Sequence, residues 1–238
     1  MKVLCAEVMG MCGGVRRALD MALAVERPSE TVILGELVHN PQVSQMLEQR
    51  GFHHAGSNSI PEAPQVLIPS HGASRGVVRA LEDAGKRLID ATCPFVRGIH
   101  ETVQSMRQEG RFIVMIGKRG HAEVDGALDG LSDSVVVSRP EEVSTYPSEQ
   151  LGVVCQSTVS PEMVERIMDA IGACNTGKSL RFAATICPAT WERQAAVKAM
   201  FGRVEAIVVV GGKTSNNTRE LAALVHAHGI PCFHIQLA

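Results

Sequence analysis

The chain has 238 residues, of which 45% are hydrophobic and 20% are charged, and its formal net charge is −2. This composition is typical of a soluble globular protein and argues against nucleic acid or an acidic membrane surface as a partner. No apolar run is long enough to cross a bilayer, and Glu7 interrupts the one candidate for a secretion signal, so we expect a cytoplasmic protein.

Strand-like apolar runs alternate with helix-like segments along the whole chain. Asn40-Pro41 and Ser160-Pro161 predict helix starts, since each pair places an N-cap residue before a proline at the first helical position. The alternation predicts an α/β fold with parallel sheets covered by helices, in which ligands bind beyond the carboxyl ends of the strands. The predicted strands are residues 2–6, 31–35, 65–69, 87–90, 111–116, 134–138, 151–155, 180–184, 205–210 and 231–235.

Three cysteines, Cys12, Cys93 and Cys187, each stand between a predicted strand and a predicted helix, at similar intervals. The lead-ins Ala91-Thr92-Cys93-Pro94 and Ala184-Thr185-Ile186-Cys187-Pro188 are alike, which indicates a repeated unit. We therefore predict three α/β units around a pseudo-threefold axis. They are residues 13–93, residues 94–186, and an incomplete third unit of residues 187–238 that residues 1–12 complete with the strand 2–6.

The remaining four cysteines have simpler explanations. Seven cysteines, widely spaced and odd in number, argue against a disulfide framework. Cys5, Cys155 and Cys232 lie in apolar runs, where a buried and inert thiol is expected, and Cys174 is expected at a helix end. The three junction cysteines differ because a helix N-terminus stabilises a thiolate and lowers the pKa of the thiol.

Three thiolates are one fewer than a closed [4Fe–4S] cluster needs, which leaves one iron open to a substrate. Two other interpretations stay open at this point. The three cysteines can be unrelated, half-buried thiols. They can also hold a tetrahedral zinc ion, although cysteine-only zinc sites usually contain Cys-x-x-Cys pairs, which this sequence lacks.

Three histidines follow predicted strands and precede predicted helices. They are His39, His71 and His121, and we expect them to meet one polyanionic ligand beside helix N-termini. For any one of them alone, a capping or core role is the better interpretation. The other six histidines lack this context and are expected at the surface or in packing.

Two polar loops, Gln156-Ser157-Thr158 and Thr214-Ser215-Asn216-Asn217, also follow predicted strands. Their short side chains and N–H groups suit phosphate oxygens, and both loops can equally be helix N-caps. Glu123 is the one carboxylate in this set of loops. A partly desolvated carboxyl group holds its proton near neutral pH and can donate it to a leaving hydroxyl.

Eight short motifs stand in order along the chain: Cys12-x-Gly-Val-x-Arg-Ala, Val38-His39-Asn40, Ser70-His71-Gly72, Asp90-Ala91-Thr92-Cys93-Pro94, Gly120-His121-x-Glu123-Val124-x-Gly126, Gln156-x-Thr158, Ile186-Cys187-x-Ala-Thr and Ser215-x-Asn217. Together they closely resemble the 4-hydroxy-3-methylbut-2-enyl diphosphate reductase family of iron–sulfur enzymes in the non-mevalonate isoprenoid pathway. The resemblance covers nearly the whole chain. One departure is Ser157-Thr158, where the family usually has two threonines.

The resemblance implies a trefoil of three α/β domains around a [4Fe–4S] cluster on Cys12, Cys93 and Cys187. The open iron is expected to bind the allylic hydroxyl, which leaves as water and gives isopentenyl and dimethylallyl diphosphate. Glu123 is the implied proton donor, and a ferredoxin- or flavodoxin-like protein is the implied electron donor. The implied substrate-binding residues are His39, His71, His121, Ser157, Thr158, Ser215, Asn216 and Asn217.

The resemblance also implies that family members continue past residue 238 through a further serine-bearing loop, in line with the incomplete third unit. Two rival hypotheses therefore remain beside the reductase. One is a cluster-bearing binding or regulatory protein without turnover. The other is a zinc-dependent hydrolase that uses the same thiolates.

Overall fold

The computed structural model describes residues 2–236. The helices are α1 Gly13–Leu23, α2 Pro41–Gln49, α3 Arg75–Asp83, α4 Pro94–Gln108, α5 Ala122–Ala127, α6 Pro161–Cys174, α7 Pro188–Lys198 and α8 Asn216–Ala227. The strands are β1 Thr31–Leu34, β2 His53–Ala55, β3 Gln65–Ile68, β4 Arg87–Asp90, β5 Phe112–Ile116, β6 Ser134–Val137, β7 Gln150–Cys155, β8 Ser179–Ala183, β9 Ile207–Val210 and β10 Cys232–Ile235.

The strands form three parallel sheets in the orders β2-β1-β3-β4, β6-β5-β7-β8 and β10-β9. Every strand pair is parallel, because helices connect the strands and return the chain to the same end of the sheet. The first two sheets share one strand order, so the same supersecondary unit occurs twice. The predicted α/β class with parallel sheets is confirmed, whereas the residue boundaries of the three units stay a prediction.

Helices cover both faces of the second sheet. Val114 and Val153 pack with Ile167 of α6, while Ile113 and Met115 on the opposite face pack with α4 and α5. Side chains alternate between the two faces of a strand, so the continuous apolar runs in this part of the sequence are those of strands buried on both sides.

The third sheet differs from the other two. Ile207 and Val209 are buried against α7 and α8, but Val208, Val210 and Phe233 on the other face are 54%, 54% and 58% exposed. In the described part of the chain this sheet therefore has two strands and one covered face.

The predicted strand at residues 2–6 is wrong. These residues form no ladder in the structure, although Leu4 and Ala6 pack on the core around Ile207 and Val209. The segment thus joins the third unit through side-chain packing rather than through backbone hydrogen bonds. Cys5 on the opposite side is exposed, so its predicted burial is wrong too. Cys155 is buried and Cys174 ends α6 as expected.

Both predicted N-caps are confirmed. The side chain of Asn40 accepts hydrogen bonds from the N–H groups of Gln42 and Val43, at 3.0 and 3.4 Å. Ser160 Oγ accepts one from the N–H of Met163, at 3.3 Å. Asparagine and serine are favoured here because the first N–H groups of a helix have no intrahelical partner.

The longest helix in the described residues has 15 residues. None of the helices between residues 2 and 236 has the length and apolarity that a bilayer span requires.

We predict that Gly152→Ala lowers the free energy of unfolding by about 1–3 kcal/mol. A Cβ at Gly152 would lie 2.8 Å from Met106 Sδ and 3.3 Å from Ile113 Cδ1, in the packed layer between α4 and the second sheet. Urea unfolding followed by circular dichroism measures the change. Gly172→Ala in α6 is the control, since its Cβ meets no atom within 4 Å and should raise stability by about 0.5–1 kcal/mol. Equal effects of the two substitutions would contradict the packing explanation.

Candidate functional site

The three junction cysteines occupy equivalent places in the structure. Cys12, Cys93 and Cys187 are the N-cap residues of α1, α4 and α7, and none of their side chains caps its helix. All three line one central cavity of about 400 Å³. Helices α4 and α7 begin shortly after β4 and β8, whereas α1 follows a segment without a strand, and all three helix starts face the cavity.

Matching backbone hydrogen bonds hold two of these cysteines. The N–H of Cys93 donates to the carbonyl of Ser70, and the N–H of Cys187 donates to the carbonyl of Ser157, both at 2.9 Å. Ser70 follows β3 and Ser157 follows β7, which are equivalent strands in the first two sheets. Each bond ties a cysteine junction to the polar loop of the neighbouring strand.

A glycine leaves room for the thiol of Cys93. A Cβ on Gly14 would lie 2.5 Å from Cys93 Sγ, so any side chain at position 14 would displace the thiol. Within residues 2–236, no three side chains of His, Cys, Asp or Glu are grouped closely enough to bind a single metal ion.

The pKa of the Cys187 thiol is raised, because it is partly buried and because Cys12 and Cys93 lie near it. The N–H groups of Ala189 and Thr190 oppose this shift without reversing it. The N–H groups at the helix N-terminus thus lower this pKa in the expected direction, but desolvation outweighs them and the net shift of the Cys187 thiol pKa is upward.

The three predicted histidines meet in the cavity. The ring of His39 stacks on that of His71 with centroids 4.8 Å apart. The rings of His39 and His121 meet edge to face, with centroids 5.7 Å apart. His121 Nδ1 also accepts a hydrogen bond from the N–H of Glu123, so this histidine caps α5 while it lines the cavity. The capping interpretation and the ligand interpretation are compatible for His121.

Two of these histidines, His71 and His121, favour their neutral forms. Burial, followed by the proximity of His39 and His121, lowers the pKa of His71 to about 3. Burial, His39 and Lys118 lower the pKa of His121 to about 4. Among the described residues, His71 Nδ1 and His39 Nε2 are buried without a hydrogen-bond partner, which is a feature of a site shaped for a ligand.

Glu123 is buried with 4% of its surface exposed. Its two carboxyl oxygens accept hydrogen bonds from the N–H of Ser157 at 2.6 Å and from Ser157 Oγ at 2.8 Å. Burial raises the pKa of the Glu123 carboxyl, and the two bonds from Ser157 oppose that shift. A raised pKa lets this carboxyl group carry a proton closer to neutral pH than an exposed glutamic acid does.

The polar loops join the second and third units. Asn216 Nδ2 donates to Thr158 Oγ1 at 2.5 Å, and Ser215 is the N-cap of α8. Gly212 packs against the carbonyl of His39, where a Cβ would clash. Loops from all three units therefore surround the same cavity.

The cavity is lined by all twelve site residues predicted from the sequence: Cys12, His39, His71, Cys93, His121, Glu123, Ser157, Thr158, Cys187, Ser215, Asn216 and Asn217. Thr190 and Arg193 also line it and were not predicted. Thr190 follows Cys187 by three residues, so the helical period already puts it on the same face of α7. Arg193 Nη2 donates to the carbonyl of Gly10 at 2.9 Å, a contact across the chain that no local pattern contains.

Known proteins resemble this chain over nearly its whole length. A family model described as LytB protein matches residues 3–238. The 4-hydroxy-3-methylbut-2-enyl diphosphate reductase of Geotalea uraniireducens is 36% identical over 100% of this chain and 85% of its own length. The protein of the same name from Aquifex aeolicus is 33% identical over 99% of this chain and 83% of its own length.

Two solved structures have the same fold. One is an (E)-4-hydroxy-3-methyl-but-2-enyl diphosphate reductase, described as the terminal enzyme of the non-mevalonate pathway. It matches with a TM-score of 0.73 at 33% identity, over 98% of this chain and 85% of that one. The other is the E-1-hydroxy-2-methyl-but-2-enyl-4-diphosphate reductase of Plasmodium falciparum, with a TM-score of 0.85 at 25% identity, over 95% and 74%.

We predict that His71 makes the folded chain less stable in acid. In the unfolded chain His71 is protonated near pH 6.5, but in the folded chain only near pH 3. The unfolded chain therefore binds this proton at a higher pH than the folded chain does. His71 leaves the free energy of unfolding unchanged above pH 6.5 and lowers it by roughly 1 kcal/mol per pH unit as the pH falls from about 6 toward 3. His71→Asn should remove this part of the slope, measured by urea unfolding at several pH values with a chelator present. The exposed His53→Asn is the control, and an unchanged slope for His71→Asn would contradict the prediction.

Proposed function

The chain belongs to the family that the LytB protein model describes, and we propose that it reduces 4-hydroxy-3-methylbut-2-enyl diphosphate to isopentenyl diphosphate and dimethylallyl diphosphate. The reaction takes up two electrons and two protons, breaks the allylic C–O bond and releases one water. The observation that carries this proposal is the convergence of three N-cap cysteines, three histidines and one buried acid on a single cavity.

We propose that Cys12, Cys93 and Cys187 hold a [4Fe–4S] cluster. The donor set supports it, since three thiols from three helix starts face one cavity and Gly14 leaves space beside the Cys93 sulfur. A cluster on three thiolates would supply electrons and leave one iron without a protein ligand for the substrate hydroxyl.

The three histidines and the polar loops are the proposed diphosphate site. Imidazole N–H groups, the hydroxyls of Ser215 and Thr158 and the amides of Asn216 and Asn217 can donate hydrogen bonds to phosphate oxygens. The N-terminus of α8, capped by Ser215, adds a favourable dipole. Ser157 binds Glu123 in the structure, so we assign it a role in orienting the acid beside its proposed contact with substrate.

Glu123 is the proposed proton donor. Its burial raises the pKa of the carboxyl, and Ser157 holds both carboxyl oxygens in place. The proton passes from this carboxyl to the leaving hydroxyl as the C–O bond breaks, and water leaves. The second proton of the reaction joins the carbon skeleton.

The two electrons come from a separate protein, and we propose a ferredoxin- or flavodoxin-like carrier. All seven cysteines are free thiols, which supports the reducing cytoplasm as the location.

Anaerobic purification with visible and EPR spectroscopy, followed by turnover with a chemical reductant, tests the proposed function. We expect an iron–sulfur spectrum and loss of the substrate hydroxyl. A colourless protein with stoichiometric zinc would refute the cluster. A cluster and substrate binding without hydroxyl loss would instead support the binding or regulatory hypothesis.

We predict that Gly14→Ala lowers the iron content and the visible iron–sulfur absorbance of the purified protein. The new Cβ would occupy the space of Cys93 Sγ and turn that thiol away from the cavity. Gly13→Ala is the matched control on the same helix turn, since its Cβ meets no atom within 4 Å. Equal iron contents in the two variants would contradict this assignment of Cys93.

We predict that Glu123→Gln keeps the cluster and the affinity for substrate but lowers kcat by about 10²–10⁴-fold. Glutamine preserves the shape of the side chain and can still bond Ser157, but it carries no transferable proton. Steady-state kinetics with a chemical reductant, together with iron analysis, measures both properties. Unimpaired turnover would remove Glu123 from the mechanism.

A further inference from the structure

A second groove, which we call the arginine groove, lies beside the central cavity. It has a volume of about 570 Å³, and its lining includes the titratable residues Arg75, Arg79, Glu82, Asp90, Arg97 and His100 of α3, β4 and α4. It shares no lining residue with the central cavity. Nothing in the reaction described above uses these residues.

The groove carries an excess of positive charge. Arg97 pairs with Asp90 at 2.7 Å, but neither Arg75 nor Arg79 has a carboxylate within 4 Å among the described residues. Burial and the Arg75 guanidinium lower the pKa of His100, so this histidine adds no charge at neutral pH. Glu82 is the one remaining carboxylate of the lining. All three arginines are exposed, on a chain with a net charge of −2.

The wall between the groove and the cavity is thin. Thr92 lines the groove and the next residue, Cys93, lines the cavity. The same holds for Gly72 and His71. A residue that lines the groove is therefore bonded directly to a predicted cluster ligand, Cys93.

Helix α1, which begins after Cys12, is hydrogen-bonded to the same wall. Arg17 of α1 donates from Nη1 to the carbonyl of Thr92 at 3.2 Å. The N–H of Thr92 donates to Asp90 Oδ1 at 2.9 Å, and Asp90 Oδ2 accepts from Arg97. This chain of bonds extends the positive surface from α4 to α1 and holds the segment before Cys93 in place.

We propose that the arginine groove, with Arg17 at its border, is the docking surface for an acidic electron-carrier protein. The inference rests on the proposed function, which consumes two electrons and provides no source for them within the chain. Two docking events, each of which oxidises one carrier by one electron, balance the reduction of one substrate. Because the groove is separate from the central cavity, the carrier can dock while substrate fills the cavity. Opposite charges on the two proteins speed their encounter.

The double variant Arg75→Glu/Arg79→Glu tests the proposal in the cluster-loaded protein. Turnover is measured once with a reduced acidic [2Fe–2S] ferredoxin and once with dithionite-reduced methyl viologen. We expect kcat/KM for ferredoxin to fall by about tenfold or more at low ionic strength, because docking depends on charge. Turnover with viologen should stay at the wild-type level, since both residues lie outside the central cavity.

The control variant is Arg107→Glu/Arg166→Glu, which changes the net charge equally at exposed positions outside the groove. Wild-type ferredoxin kinetics in the groove variant, or an equal loss in the control, would overturn the docking surface. Turnover with NADPH alone, without a carrier protein, would also overturn it.

Failure of the docking surface is distinguishable from failure of the proposed function. Absence of viologen-driven turnover in the wild-type protein would refute the function. Titration calorimetry with oxidised ferredoxin at low salt then tests the docking surface independently of turnover. We expect binding that the groove variant weakens about tenfold or more and the control variant retains; no binding to the wild-type protein would overturn it.

Discussion

Two equivalent backbone hydrogen bonds position the cysteines of the central cavity relative to its polar loops. They join the N–H groups of Cys93 and Cys187 to the carbonyls of Ser70 and Ser157. Each bond fastens a cysteine at the start of a helix to a polar loop at the end of the neighbouring strand. Parallel sheets make this possible, since strand ends and helix starts meet at the same edge. The thiols and the polar side chains of the central cavity thus share one backbone framework.

Burial raises the pKa of the acid in the cavity and lowers the pKa of two of its histidines, and each shift favours the uncharged form of the group. Desolvation raises the pKa of Glu123 and lowers the pKa of His71 and His121, because it disfavours whichever form is charged. All three groups therefore favour their neutral forms. The shifts of His71 and His121 reduce repulsion between their imidazoles, and the raised pKa of Glu123 brings loss of its proton closer to neutral pH. At the proposed site, a diphosphate would meet the hydrogen-bond donors of His71 and His121 in their favoured neutral forms.

The wall formed by Ser70–Gly72 and Thr92–Cys93 separates two chemical environments. On one side lie buried, neutral groups suited to a small ligand that must be shielded from water. On the other side lie exposed arginines suited to a large, charged partner. A single residue step along the chain changes the environment, since His71 and Cys93 line the cavity while Gly72 and Thr92 line the groove. Substrate and electrons can thus approach the proposed cluster independently.

The sequence by itself determined the α/β class, the N-caps at Asn40 and Ser160 and twelve of the residues that line the central cavity. All of these depend on local signals: apolar periodicity, a capping residue before proline, and polar residues directly after strands. The tertiary structure decided the rest. Strand β2 at His53–Ala55 is short and polar and exists through its pairing with β1, whereas residues 3–6 are apolar but pair with no strand within residues 2–236. The bond from Ser157 to Glu123 and the charge of the arginine groove join residues far apart in sequence. Desolvation of Cys187 depends likewise on what the folded chain packs around it, and for that reason the direction of its pKa shift could not be predicted from a helix N-terminus alone.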